Sequence, residues 1–325
     1  MNYLITGTSG FIWFHLTLKL LSLGHLVVWI DNENNYYSQE LKYNRRKRLE
    51  EFSNFKFLKI DISNNTEILN LVVNLNIKFD YIIHLAAQAW VRYSLENPQI
   101  YINTNIIGFF NILELARQLW IKKIIYASSS SVYWNTEINT KSSEINSNTN
   151  NPISLYAMTK KSNELLASTY EHLYNITCIW LRFFTVYWPR WRPDMAYFKF
   201  LNSIYTNEPV EIYNNGISIR DFTYIDDIIS WIESCIKYNW NIRIFNLGNS
   251  KPIEVNEFIQ ILESITKKKL IKNYIWNQAG DVNSTFADTN LAKNELWRET
   301  KHNLADWLDT FINRYIEYYN LNSKN

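Results

Sequence analysis

Short apolar runs and longer amphipathic runs alternate through the first half of the chain. Residues 3–6 (YLIT), 26–31 (LVVWID), 55–61 (FKFLKID), 81–87 (YIIHLAA) and 123–129 (KIIYASS) are dominated by Ile, Leu, Val, Phe and Tyr. Continuous apolar runs of this length read as strands buried on both faces, as in a parallel sheet. Between them the pattern changes to helical spacing. It predicts a helix from Phe11 to about Leu23, a charged helix after Asp31, another after Asp61 and one from near Asn103 to Leu119. A further helix runs from Tyr156 to about Tyr174 and leads into the strand TCIWLRFF at 177–184. This rhythm of βαβ units specifies an α/β protein with a doubly wound parallel sheet.

From Trp188 the sequence turns irregular and contains proline, which marks departure into a smaller C-terminal α/β domain. RIFNLGN, Arg243 to Asn249, reads as a strand returning to the first sheet. The expected division is therefore 1–185, with about 222–250 returning, for the first domain, and 186–221 with 251–325 for the second. Asn135 to Asn151, rich in Asn, Ser and Thr, reads as a surface loop.

Charge and composition exclude several function classes. Lys and Arg number 33 against 31 Asp and Glu, a net charge of +2, which gives no surface built to neutralise a nucleic-acid backbone. No apolar run reaches the roughly 18 residues of a membrane span, and the chain starts directly on a strand-like YLITG; a cytoplasmic protein is expected. Cys178 and Cys235 fall in a predicted strand and a predicted helix, as small core residues do. His15, His25, His84, His172 and His302 show no metal-ligand spacing, and no metal is expected.

Candidate chemistry begins at the first strand-to-helix turn, G-T-S-G-F-I-W. Gly7 and Gly10 can turn the chain tightly there and aim backbone N–H groups and a helix N-terminus at a pyrophosphate. Asp31 ends the second strand some 20 residues on, where a carboxylate accepts bonds from a ribose hydroxyl and repels a 2′-phosphate, favouring NAD over NADP. The competing reading is an ordinary α/β turn with Asp31 as a helix cap. This makes the first domain Rossmann-type.

The fifth strand ends in four serines, Ser128 to Ser131, and Y-A-M-T-K opens the next helix. Tyr156 and Lys160 are four apart, hence on one helix face, where the ammonium can favour a phenolate. Such a tyrosine is a general base for a sugar hydroxyl, and a serine at the strand end can hydrogen-bond the same group. Alone, a Tyr and Lys at this spacing arise often by chance; their place behind a nucleotide fold and a serine-ended strand gives them meaning.

With these motifs the chain resembles the extended short-chain dehydrogenases, and within them is most similar to UDP-glucuronate 4-epimerases. GTSGFI, HLAAQAWVRYSLENP, YASSSSVY, SLYAMTKK, LRFFTVYWPRWRPDM, RDFTYIDD and GDVNSTFAD carry the resemblance over nearly the whole length. It implies Ser129, Tyr156 and Lys160 as catalytic residues, with Ser130 beside them. It implies NAD held by Gly7, Gly10, Phe11, Ile12, Asp31, Asn32, Asp61, Ile62, Leu85, Ala86, Ala87 and Asn105, together with Tyr156 and Lys160. For a UDP-sugar it places Thr185 near the sugar, Arg192 near the uronate carboxylate, Tyr213 near the uracil, and Arg220 and Asp281 around the diphosphate and ribose; Arg92 is implied beside the substrate. An arginine fork suits carboxylate and phosphate; each Arg could also be a plain surface charge. A homodimer through paired helices is also implied.

The implied reaction is oxidation at C4, turnover of a 4-keto sugar and reduction from the other face, with no net redox. Dehydratases and uronate decarboxylases of this type carry acidic residues after the catalytic Ser or Thr; here those places are Ser130 and Ser131. UDP-glucose/UDP-galactose 4-epimerase remains an alternative, which RFFTVYWPRWRPDM tips towards the uronate. A non-catalytic NAD-binding regulator is the alternative from another class.

Glycine is scarce, 7 of 325 residues, while tryptophan stands at 13. Trp13, Trp29, Trp90, Trp120, Trp134, Trp180, Trp188, Trp191, Trp231, Trp297 and Trp307 stand where the family pattern has, or readily takes, glycine. Together the two types reach about 6% of the chain, close to ordinary glycine usage. The expectation is that these are UGA codons read as glycine in the source organism; a drifted pseudoenzyme with real tryptophans is the alternative.

Overall fold

The computed structural model describes residues 1–7, 10–36, 38–133, 140–187, 195–238, 241–276, 282–302 and 304–318. The chain forms two compact units. The first comprises Met1–Trp134, Asn148–Arg182 and Ile232–Phe245; the second comprises Asn135–Ser147, Phe183–Trp231 and Asn246–Asn325. The segment returning to the first unit is thus shorter than the expected 222–250.

In the first unit β1 (Asn2–Thr6), β2 (Leu26–Asp31), β3 (Phe55–Lys59), β4 (Tyr81–His84), β5 (Lys123–Ser129) and β6 (Thr177–Phe183) join the strand Ile244–Leu247 in one sheet. From edge to edge the order is β3, β2, β1, β4, β5, β6 and Ile244–Leu247. β1 pairs in parallel with β2 on one side, Leu4 facing Val28, and with β4 on the other, Leu4 facing Ile82. The connections therefore reverse direction at β1, the place where open α/β sheets bind ligands at their strand C-termini. Leu4, Ile5, Val28, Ile82, Ile83, Ile124 and Ile125 are fully buried, as unbroken apolar runs require.

The helices are α1 (Phe11–Ser22), α2 (Gln39–Leu49), α3 (Asn65–Val73), the short α4 (Tyr93–Glu96) and α5 (Pro98–Tyr101), α6 (Gly108–Gln118) and α7 (Leu155–Tyr174). Side chains cap three of them: Ser38 accepts from Leu41 N, Asn64 from Glu67 N and Ser154 from Ala157 N. The N-terminus of α1 has no side-chain cap. The helix expected from Asn103 begins instead as a π-helical stretch, Ile102–Ile107, that passes into α6.

In the second unit, Ile219–Tyr224 lies between Pro252–Glu254, antiparallel, and Thr185–Tyr187, parallel; Lys272–Ile275 pairs in parallel with Val210–Tyr213. Helices Ala196–Thr206, Val255–Thr266, Asn290–Leu296 and Leu304–Tyr318 belong to it, and the helix Ile225–Lys237 begins in it. The stretch read as a surface loop contributes Ser142 to this unit. Ser142 is buried, its N–H donates to Phe286 O, and its carbonyl accepts from Asp288 N and Asn246 Nδ2. Polar composition concealed this, because the burial is satisfied by backbone partners.

Candidate active site

The nucleotide end of the first unit is built on close backbone approach. Gly7 has φ +79°, and a Cβ there would lie 2.3 Å from Ala86 Cα and N, so only glycine lets the β1–α1 turn pass the loop after β4. That loop is held in turn by Thr6, whose Oγ1 accepts from Leu85 N and Ala86 N, both at 3.2 Å, and lies 2.8 Å from His84 Nδ1. Burial foremost, and the nearby Lys160 charge, pull the His84 pKa down to about 3. His84 is therefore neutral, with Nδ1 accepting the Thr6 proton, a tautomer assigned from the bonding pattern. Thr6 was not singled out in the sequence; its position ending a buried strand is the only signal it offers.

Asp31 ends β2 buried and accepts the Glu33 N–H at 2.7 Å. Next to it, Asn32 Nδ2 donates to Asp61 Oδ2 at 2.8 Å. Asp61 also accepts from Ser63 N and Oγ; burial alone would raise its pKa, but the hydrogen bonds from Ser63 and Asn32 hold it below the ordinary carboxylate value. Ile12 is half-buried and Ile62 buried, the latter with its carbonyl bonded by Asn111 Nδ2. Ala86 and Ala87 are half-buried and Leu85 is buried. Asn105 is wholly engaged within the scaffold: its Oδ1 accepts from Gln88 N at 2.7 Å, and its Nδ2 donates to Gln88 O and to Thr159 Oγ1, both at 3.0 Å. These bonds accompany the π-helical stretch on which Asn105 sits, a distortion frequent at functional sites.

The catalytic candidates converge on β5 and α7. Tyr156 is the second residue of α7, in the first turn of a 20-residue helix, where the helix dipole favours an anion. Its ring stands edge-on to Tyr101 at 6.2 Å. Lys160, one turn on, is buried and donates from Nζ to Ala127 O at 2.7 Å, two residues before Ser129. Burial pushes its pKa down to about 7, and it has no counter-ion among the described residues. Ser129 is buried at the end of β5; its Oγ lies 3.1 Å from Ser131 Oγ and accepts from Ser131 N at 3.1 Å. Ser130 follows in a single 3-10 turn, half-buried. Arg92, also half-buried, precedes α4.

The substrate candidates of the second unit lie partly on its sheets. Thr185 pairs with Phe222 on neighbouring strands, two residues from Arg220. Arg220 Nη1 is aimed by two carbonyls, Ile219 O at 2.9 Å and Asn283 O at 3.3 Å. Beside it Asp221 accepts N–H groups of Asn249, Ser250 and Ala287, while burial raises its pKa to about 6. Tyr213 ends the strand Val210–Tyr213 and donates its hydroxyl to Glu211 Oε2 at 2.6 Å. Arg192, Asp281 and the side chain of Phe11 lie outside the described residues, as do Trp134, Trp188 and Trp191. No group of three or more His, Cys, Asp or Glu among the described residues could hold a metal ion; Cys178 and Cys235 are free and buried.

The first unit fits a dinucleotide in three respects: an uncapped helix N-terminus behind Gly7, a carboxylate ending β2, and a buried lysine lacking an anionic partner. One residue does not fit. Trp13 Cδ1 lies only 2.7 Å from where a Gly10 Cβ would be, so the indole is packed on the first turn of α1.

Sheet order, glycine turn and the Ser, Tyr and Lys set define a dinucleotide-binding protein of the extended short-chain dehydrogenase class. The family model described as GDP-mannose 4,6 dehydratase matches residues 4–306, and the chain belongs to that epimerase/dehydratase family. It is 42% identical to Protein CapI of Staphylococcus aureus, over 98% of this chain and 99% of that protein. It is 40% identical to a UDP-glucuronate 4-epimerase of Thermodesulfobacterium geofontis, over 96% and 95% of the two chains. Among solved structures, UDP-glucuronic acid 4-epimerase from Bacillus cereus in complex with UDP-glucuronic acid and NAD is 33% identical, with a TM-score of 0.91 over 98% of this chain and 100% of that one.

Proposed function

We propose that the chain is an NAD-dependent 4-epimerase of UDP-sugars that interconverts UDP-glucuronate and UDP-galacturonate. The observation that carries this is the Tyr156–Lys160 pair on α7, with Lys160 bonded to β5 two residues before Ser129. Bound NAD supplies a hydride acceptor and donor at sugar C4. Tyr156, as phenolate, takes the 4-hydroxyl proton and later returns it; Lys160 and the helix N-terminus favour that phenolate; Ser129 Oγ orients the hydroxyl. Ser130 and Ser131 supply no carboxylate for elimination or decarboxylation. Thr185, Tyr213, Arg220 and Asp281 are assigned to the nucleotide-sugar, Arg192 to the carboxylate and Arg92 to the substrate's edge.

Solvent-exposed apolar side chains on α6, on α7 and just before α6, Phe110, Leu165, Leu173 and Ile107, support a homodimer through paired helices. No helix among the described residues is long and apolar enough to cross a membrane, in keeping with work in the cytoplasm. The test is incubation of the protein, with glycine at the tryptophan positions that match the family's glycines, with UDP-glucuronate and no added NAD: UDP-galacturonate is expected. A UDP-pentose would indicate a decarboxylase, and turnover of UDP-glucose alone a neutral-hexose epimerase. Tyr156→Phe is expected to lower kcat by roughly 10²-fold or more.

A further inference from the structure

Glu164 lies on α7 one turn beyond Lys160 and two beyond Tyr156, and it is buried. Its carboxylate accepts from Ser128 Oγ at 2.7 Å and takes the Arg182 guanidinium at two points, Nε to Oε1 at 2.9 Å and Nη2 to Oε2 at 2.8 Å. Arg182, on β6, donates its Nη1 to Tyr133 OH at 2.9 Å. Lys161 reaches the same carboxylate at 3.4 Å and Thr149 Oγ1 at 2.7 Å. The end of β5, β6 and the catalytic helix thus meet at one carboxylate, and the turn after β5 joins them through Arg182. The residue before Ser128 is Ala127, whose carbonyl accepts from Lys160, and the residue after it is Ser129. A buried ion pair is poor value as pure stability, since apolar side chains of the same shape often serve as well; a fixed, bidentate geometry is what it offers.

We propose that Glu164 is a positioning residue for the epimerisation: by tying Ser128 and Arg182 to α7 it keeps Ser129 and the Tyr156–Lys160 pair in one register, addressing the same hydroxyl. This rests on the epimerase reading. The test measures kcat per NAD-loaded protein and KM for UDP-glucuronate in Glu164→Gln and in the milder Ser128→Ala, which leaves the Glu164–Arg182 pair intact. Misplacement of reacting groups by about 1 Å costs roughly 10²-fold, so Glu164→Gln should lose kcat on that scale and Ser128→Ala roughly tenfold, with KM unchanged within about twofold. A brace for folding alone would lower the yield of NAD-loaded protein and leave its kcat intact, and that result in Ser128→Ala overturns the proposal. All forms carry glycine at the positions inferred below, and an inactive parent of that form would overturn the epimerase reading instead.

Backbone angles carry a second inference. Trp90 has φ 96°, Trp120 φ 60° and Trp297 φ 55°, where bulky side chains are outliers and glycine is at ease. Trp120 and Trp297 follow the ends of α6 and of Asn290–Leu296, the place helices give to a left-handed glycine, and both indoles stand in solvent. Trp29, Trp180 and Trp231 have indole N–H groups buried without a hydrogen-bond partner among the described residues, and Trp13 crowds the dinucleotide turn. Trp307 differs: its ring stacks on Tyr224 at 4.1 Å, and nothing there calls for glycine. We infer that the functional chain carries glycine at positions 13, 29, 90, 120, 180, 231 and 297. Peptide mass spectrometry of the chain from its native cells should find those peptides lighter by one indole side chain each; tryptophan at 90, 120 and 297 would overturn the inference. Two recombinant forms give a second measurement: the glycine form should keep NAD through gel filtration and the tryptophan form lose it, and equal retention with equal turnover would also overturn it.

Discussion

Replacing Lys160 by methionine should abolish epimerisation and stabilise the apoenzyme. Burial pulls this lysine from 10.5 to about 7. At about 1.4 kcal/mol per pH unit, keeping an ionisable group there costs the folded apoenzyme about 4 kcal/mol at pH 7. Methionine, unbranched and of similar length, fills the site but leaves Ala127 O without its 2.7 Å donor, a loss of about 1–2 kcal/mol. The net gain is about 2–3 kcal/mol, or about 3–4 °C in Tm for a chain of 325 residues. The sign with pH follows from linkage: between about 7 and 10.5 the unfolded lysine holds a proton that the folded one does not, so wild-type stability rises with pH through that window. The advantage of Lys160→Met is therefore full below about pH 7 and fades as pH approaches 10.5. Calorimetry on NAD-free protein at pH 7 and pH 10 measures both. A variant that melts no higher than wild type at pH 7, or whose advantage is the same at both pH values, refutes the reasoning.

Gly7→Ala puts a methyl 2.3 Å from Ala86 Cα in a left-handed backbone; a cost of at least about 2 kcal/mol and loss of bound NAD are expected, read by Tm and by the absorbance of extracted dinucleotide. Asp31→Ser removes the carboxylate that repels a 2′-phosphate, so the preference for NAD over NADP in reconstituted apoenzyme should fall by roughly tenfold or more. A 4-keto uronate is a β-keto acid, and on the carboxylate-holding role proposed for Arg192, Arg192→Ala should release a UDP-pentose by-product; unchanged product ratios by chromatography would count against the role.

The sheet was legible because its strands are mostly apolar runs: β2 to β6 lie within the predicted segments and β1 begins one residue earlier; Tyr156 with Lys160 stood out by their helical spacing behind a nucleotide fold and a serine-ended strand. What stayed hidden depends on partners far apart in sequence. Thr6 meets His84, Glu164 meets Arg182, and Asn105 meets Gln88 and Thr159; no local pattern chooses between such partners. The π-helical start before α6 escaped for the same reason, since helical periodicity does not distinguish it from the α-helix it joins. Ser142 looked like loop because its composition is polar, while its burial is decided by a carbonyl and an N–H supplied by the strand-like stretch 286–288.

Asn105 ties together two parts of the first unit, the loop after β4 and the first turns of α7. One side chain clasps Gln88, in the loop that follows β4, and Thr159, whose hydroxyl donates to the carbonyl of Tyr156. A loop that opened to release a coenzyme would therefore pull on the backbone of Tyr156. An enzyme that re-reduces its own substrate has no spent coenzyme to eject, so it can be built as a closed-circuit device, its coenzyme a fixture and not a co-substrate.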